Sequence, residues 1–142
     1  MRLISGLLII LALAACGPAP HAVEISKAWA RPTPGGVDVA AGYLTITNHA
    51  NTDETLVSAA SPRGRVQIHT MDMTGGMMSM RPSDGLPIKA GGALTLAPGG
   101  AHLMFDGLAS PFTPGEQVPV TLTFAHAGAI EVTLSVQQNP PS

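Results

Sequence analysis

The chain has 142 residues, is 45% hydrophobic and only 11% charged, and carries a formal net charge of −2. That balance leaves no basic face for nucleic acid or an anionic surface. A single cysteine, Cys16, excludes an internal disulfide, and the 13 Pro and 16 Gly would interrupt helices almost anywhere they fall.

The chain opens with Met1-Arg2, then a largely apolar run from Leu3 to Leu13, then Ala14-Ala15-Cys16. A basic start, a short apolar stretch and small residues form an export signal, and the run is too short to remain as a spanning helix. Residues 1–15 therefore read as a lipoprotein signal peptide. Leu13-Ala14-Ala15-Cys16 resembles the site at which bacterial lipoproteins are cut and acylated on cysteine. The other reading is plain secretion with cleavage after Ala14, which leaves a free thiol. An acylated Cys16 would tether the protein to a membrane surface without a transmembrane helix. Either way the chain is placed outside the cytoplasm, in the periplasm or cell envelope. Without residues 1–15, six basic side chains face nine acidic ones, and the length suffices for one domain with a modest core.

Residues 16–22 read as a tether, 23–137 as one β domain and 138–142 as a tail. Within the domain, short runs alternate apolar and polar side chains between turn residues. They predict strands over 23–31, 41–48, 54–60, 66–71, 77–81, 93–97, 102–106, 118–125 and 130–136. The pattern is that of a single antiparallel β-sandwich or Greek-key barrel. The last two runs show it best: Val118, Val120, Leu122 and Phe124 face one way, as do Ile130, Val132, Leu134 and Val136, with Ala127-Gly128-Ala129 expected to join them. His126, His49 and His21 read as loop or terminal histidines without a special role.

The distribution of methionine is not that of a core filler. Apart from Met1, all of it falls in Met71, Met73, Met77, Met78, Met80 and Met104, close to His69 and His102. His69, Met80, His102 and Met104 make a donor set of two imidazoles and two thioethers. Thioether sulfur is soft and neutral and selects Cu(I) over zinc, magnesium or calcium. Strand parity puts His102 and Met104 on one face and leaves Leu103 and Phe105 for the core; likewise Gln67, His69 and Met71 share the face opposite Val66 and Ile68. A hairpin turning at Thr74-Gly75 would set His69 opposite Met80, whereas one turning at Gly75-Gly76 would set Met71 opposite Met80. Both keep His69, Met71, Met78 and Met80 on one face. Met71, Met73 and Met78 are possible auxiliary metal donors, with Met77 beside them; the alternative is that they pack against the hairpin.

No catalytic motif stands out: there is no nucleophilic triad order, paired carboxylate motif or phosphate loop. A zinc hydrolase would use His and carboxylate ligands with an open water position. A blue-copper electron carrier needs a thiolate beside its histidines. The chain therefore reads as a binding protein rather than an enzyme.

The chain resembles the periplasmic copper chaperone family PCuAC over about residues 23–136. The resemblance rests on Ala28-Trp29-Ala30-Arg31, on the run from Ala40 to Asn48, on Val66 to Met71, on Gly75 to Pro82, on Pro98 to Met104 and on Val118 to Phe124. The spacing of His69, Met80, His102 and Met104 fills each position of that family's ligand motif. The resemblance implies a cupredoxin-like β-sandwich that holds Cu(I) through these residues and delivers it to cytochrome c oxidase at the CuA site of subunit II, or to another copper-trafficking protein. Some members carry a His- and Met-rich C-terminal extension for Cu(II); residues 137–142 hold neither residue type. The alternatives are a periplasmic copper buffer or resistance protein using the same site, and a metal-free β-sandwich interaction module.

Overall fold

The computed structural model describes residues 22–142. The expected signal peptide, Cys16, and the expected tether up to His21 lie outside these residues. Ten strands make up the fold: β1 (Val23–Ala30), β2 (Ala40–Asn48), β3 (Glu54–Ala60), β4 (Arg65–Asp72), β5 (Ser79–Pro82), β6 (Leu86–Ile88), β7 (Ala93–Leu96), β8 (His102–Asp106), β9 (Gln117–Phe124) and β10 (Gly128–Val136). The described residues contain no helix long and apolar enough to cross a membrane.

The strands form one curled sheet in the order β5-β4-β8-β2-β1-β10-β9-β3-β6, with β7 also paired to β2. Alternation dictates which side of each strand faces inward. Leu103 and Phe105 on β8, Ile68 on β4, Val118, Val120, Leu122 and Phe124 on β9, and Leu134 and Val136 on β10 are all buried in one core. Phe112 meets Phe105 edge-on, with ring centroids 5.2 Å apart. Gly42 on β2 is a packing necessity. A Cβ there would come within 2.7 Å of Leu134 Cδ1 and 3.1 Å of a Phe105 ring carbon.

Pairing is antiparallel except where β1 meets β10 in parallel, at Trp29↔Ser135 and Ala30↔Val136. The first and last strands thus join the two halves of the sheet, a contact that no local hairpin specifies. A bulge precedes it. The β1–β2 register shifts between Ser26 and Trp29, and Lys27 adopts φ 50°. The bulge breaks the alternation, so that Trp29 and Ala30 are both buried. Trp29 then stacks obliquely on Tyr43, centroids 4.8 Å apart.

Three elements depart from the sequence-based expectations. Leu86–Ile88 is a strand although Pro87 lies within it, because it is an edge strand and the missing N–H of proline costs no ladder bond there. The fifth strand begins at Ser79 rather than Met77: a 3-10 turn spans Thr74–Gly76, and Gly75 and Gly76 both have φ of 76°. The β9–β10 hairpin turns at 125–127 rather than 127–129, because Gly128 pairs with Phe124 and takes the left-handed conformation, φ 75°, that closes a three-residue loop.

Candidate metal centre

The block β5-β4-β8-β2 brings the sequence-predicted donors onto one face, and its register can be read as rows across the sheet. In the central row, His69 lies directly opposite His102, with Pro82 on the other side of His69. One row away, Gln67 lies opposite Met104, which in turn faces Ala41 on β2. One row in the other direction, Met71 lies opposite Met80. Successive rows on one face are roughly 7 Å apart. His69 is therefore flanked along its own strand by Gln67 and Met71, and Met80 is its diagonal neighbour. The hairpin takes the Gly75-Gly76 register, not the one that would have set Met80 against His69.

The imidazole rings of His69 and His102 are 5.6 Å apart between centroids and inclined at 57°. His102 is buried, at 6% exposure, although it lies on the face away from the core. Sequence parity predicts an outward, open position here; the adjacent His69 ring and the 97–101 loop remove it from solvent. That loop interrupts what would otherwise be one long strand running beside β2 through β7 and β8. It is held by Gly100 N–H donating to Ala97 O and Ala97 N–H donating to Ala101 O. Its Gly100 carbonyl accepts a hydrogen bond from His102 Nδ1 at 2.9 Å.

His69 is held differently. Its Nε2 donates to Gln67 Oε1 at 3.3 Å, and its Nδ1 is buried without any hydrogen-bond partner. Burial is the main cause that lowers the His69 pKa below the usual 6.5; the nearby His102 adds to it and the Asp106 carboxylate opposes it. The ring is therefore neutral at neutral pH. A buried nitrogen left unpaired is destabilising, by about 1–3 kcal/mol, unless a ligand takes it up. The described residues contain no group of three or more His, Cys, Asp or Glu able to hold a metal. The side chains that share this face with the histidine pair include the thioethers of Met71, Met80 and Met104, which are soft donors.

The methionines divide by exposure. Met104 and Met71 are partly buried, whereas Met80, Met78, Met73 and Met77 are exposed, Met77 most of all at 76%. Met104 also lines a shallow apolar cup with Arg31, Pro32, Pro34 and Val39. Two contacts in this region escape sequence reasoning. Gln67 shares a face with His69 by simple parity, but only the tertiary structure shows that its amide oxygen reaches the ring. The Gly100 carbonyl carries no side-chain signal at all.

This architecture defines the class: a cupredoxin-like β domain of the PCuAC type, as the sequence resemblance implies. The copper-bound PCuAC domain from PmoF2 superposes with a TM-score of 0.71 at 24% identity, over 83% of this chain and 94% of that one. The solution structure of CuI-DR1885 from Deinococcus radiodurans matches with a TM-score of 0.65 at 30% identity, over 89% of this chain and 84% of that one. The model of the family described as "Putative lipoprotein LpqE-like" matches residues 23–136, and the chain belongs to that LpqE-like family. One relative, "Putative lipoprotein Lxx21020" of Leifsonia xyli subsp. xyli, is 31% identical over 122 residues, spanning 85% of this chain and 73% of that protein.

Proposed function

We propose that this protein is an extracytoplasmic Cu(I) carrier. It would hold one cuprous ion through His69, His102, Met104 and Met80, with Met71 as an auxiliary donor, and deliver it to the CuA site of cytochrome c oxidase subunit II or to another copper-trafficking protein. The observation that carries the reading is the unpartnered, buried Nδ1 of His69 beside the His102 ring. The likeness to CuI-DR1885, at 30% identity, supports copper as the cargo. Neutral imidazoles and thioethers lose no proton on binding, so loading needs no acid release at neutral pH. The exposed Met80, Met78 and Met73 suit exchange of sulfur donors with a partner, one at a time. Cys16 would carry the lipid that keeps the carrier at the cell envelope, a reading supported by the description of its relatives as lipoproteins.

Anaerobic titration with Cu(I) against a competing chelator tests the site. One tight equivalent is expected, lost when His102 and Met104 are changed to alanine; unchanged binding in that double variant overturns it. Deletion of the gene under copper limitation tests the delivery step: lowered oxidase activity is expected. Raised copper sensitivity with normal oxidase would instead make the protein a buffer. Cys16→Ser should release the protein from the membrane fraction, and retention there would refute the anchor.

A further inference from the structure

We propose that Gln67 is a positioning residue that locks His69 in its Nε2–H tautomer, so that His69 binds the cuprous ion through Nδ1 while His102 binds through Nε2. The inference rests on the carrier reading and adds which nitrogen of each ring meets the metal and what decides it.

A neutral imidazole has one N–H and one lone pair, and the hydrogen bond made by one nitrogen fixes the role of the other. At His102 the partner is the Gly100 carbonyl, 2.9 Å from Nδ1. A carbonyl only accepts, so Nδ1 carries the proton and Nε2 keeps the lone pair. At His69 the arrangement is reversed. The Gln67 side-chain oxygen lies 3.3 Å from Nε2, so Nε2 carries the proton and the lone pair falls on Nδ1. That Nδ1 is the buried nitrogen without a protein partner. The opposite tautomer would bury an unpaired N–H there and set two acceptors against each other at Nε2.

The two rings are thus set as opposites, and the difference has a geometric meaning. Nδ1 is the ring nitrogen nearer the backbone, and Nε2 is the farther one. The two histidines would therefore offer a metal different ring nitrogens, Nδ1 of His69 and Nε2 of His102. Gln67 is well placed to hold this arrangement: it is two residues from His69 on the same strand face and directly opposite Met104. Among the described residues no backbone carbonyl serves His69 as Gly100 serves His102, so the tautomer of His69 depends on the Gln67 side chain.

The test uses metal-free protein carrying isotope-labelled histidine, with long-range nitrogen–proton correlation spectra to report each ring's tautomer. In the wild type, His69 is expected as Nε2–H and His102 as Nδ1–H. Gln67→Leu, which removes the acceptor, should convert His69 to a tautomer mixture and weaken Cu(I) binding about ten- to a hundredfold, the range for the outer partner of a ligating histidine. Gln67→Glu, which restores an acceptor, should restore both the Nε2–H signature and the affinity. His102 should keep its tautomer throughout. An Nδ1–H signature for His69 in the wild type, or full retention of tautomer and affinity in Gln67→Leu, overturns the inference. A wild type that shows the expected tautomers yet binds no Cu(I) would sink the carrier reading and leave the Gln67 lock standing.

Discussion

Two regions of this molecule bury polar side chains beneath its strands, and they treat them in opposite ways. Near the start of β3, Glu54 is 5% exposed and every contact is answered. It accepts backbone N–H bonds from Thr55 at 2.8 Å, His126 at 3.0 Å and Ala127 at 2.9 Å, and meets the His126 ring at 3.2 Å. Asn48, fully buried, likewise donates to the carbonyls of Thr52, Ile88 and Lys89 and accepts from Ala50 N–H. Across β4 and β8, by contrast, His69 keeps a buried nitrogen unpaired, with exposed methionines close by on the β4–β5 hairpin. Buried polar groups are almost always satisfied. A fully satisfied group is read as fastening the fold, and an unsatisfied one as waiting for a ligand. His126, in the β9–β10 turn, meets the Glu54 carboxylate through Nδ1, whereas His69, within β4, keeps its buried Nδ1 without a partner.

That contrast can be broken at several strengths. The largest effect is expected from His102→Ala with Met104→Ala: Cu(I) affinity should fall at least a thousandfold, about 4 kcal/mol, beyond the loss of metal-free stability that removing the buried His102 ring brings. Glu54→Ala should act on stability alone. It strands three backbone donors and is expected to lower stability by about 3 kcal/mol, read by denaturant unfolding, without altering the copper stoichiometry. Gly42→Ala inserts a methyl group against Leu134 and Phe105 and should cost about 1–3 kcal/mol, with any loss of copper affinity following only from displacement of β8.

The two regions also separate by pH. Burial alone would raise the Glu54 pKa, but the N–H bonds from Thr55, His126 and Ala127 and the His126 ring outweigh it and hold it below the usual 4.5. Glu54 therefore contributes stability that is complete above that value and is lost as the pH falls beneath it. His69 is also depressed, below 6.5, and as a base it is neutral in the fold while the unfolded chain protonates first. Its contribution is thus lost as the pH falls through the range beneath 6.5. Acid titration of metal-free protein should show two losses, with Glu54→Gln removing the lower one and His69→Ala the upper. The smallest effect belongs to the exposed pair of His49 and Glu24, 2.9 Å apart. His49→Ala should change stability by less than about 1 kcal/mol.

Much of this was legible in the residues. Period-two alternation identified nine of the ten strands and put His69 with Gln67 and Met71, and His102 with Met104, on shared faces. It failed where local pattern and local structure part. Leu86-Pro87-Ile88 is too short and contains a proline; it is a strand only because it lies at the edge against Glu54–Leu56. Parity also called His102 open, because alternation says which way a side chain points and nothing about what later covers it. Glu54 offered no signal, since two of the three amides it receives, those of His126 and Ala127, come from residues more than seventy positions away.

The sequence by itself determined the kind of structure and the kind of chemistry: alternation demands strands, and softness of the sulfur and nitrogen donors demands a soft ion if they bind one at all. Only the tertiary structure decided that β4 lies against β8 with His69 facing His102, that the hairpin turns at its two glycines, and that the parallel contact of β1 with β10 joins the halves of the sheet. It also decided which ring nitrogen is answered and which is left open. Side-chain type and spacing are properties of the chain, whereas register between distant strands is set by burial of the whole core at once, and hydrogen-bond satisfaction has no meaning until that register exists.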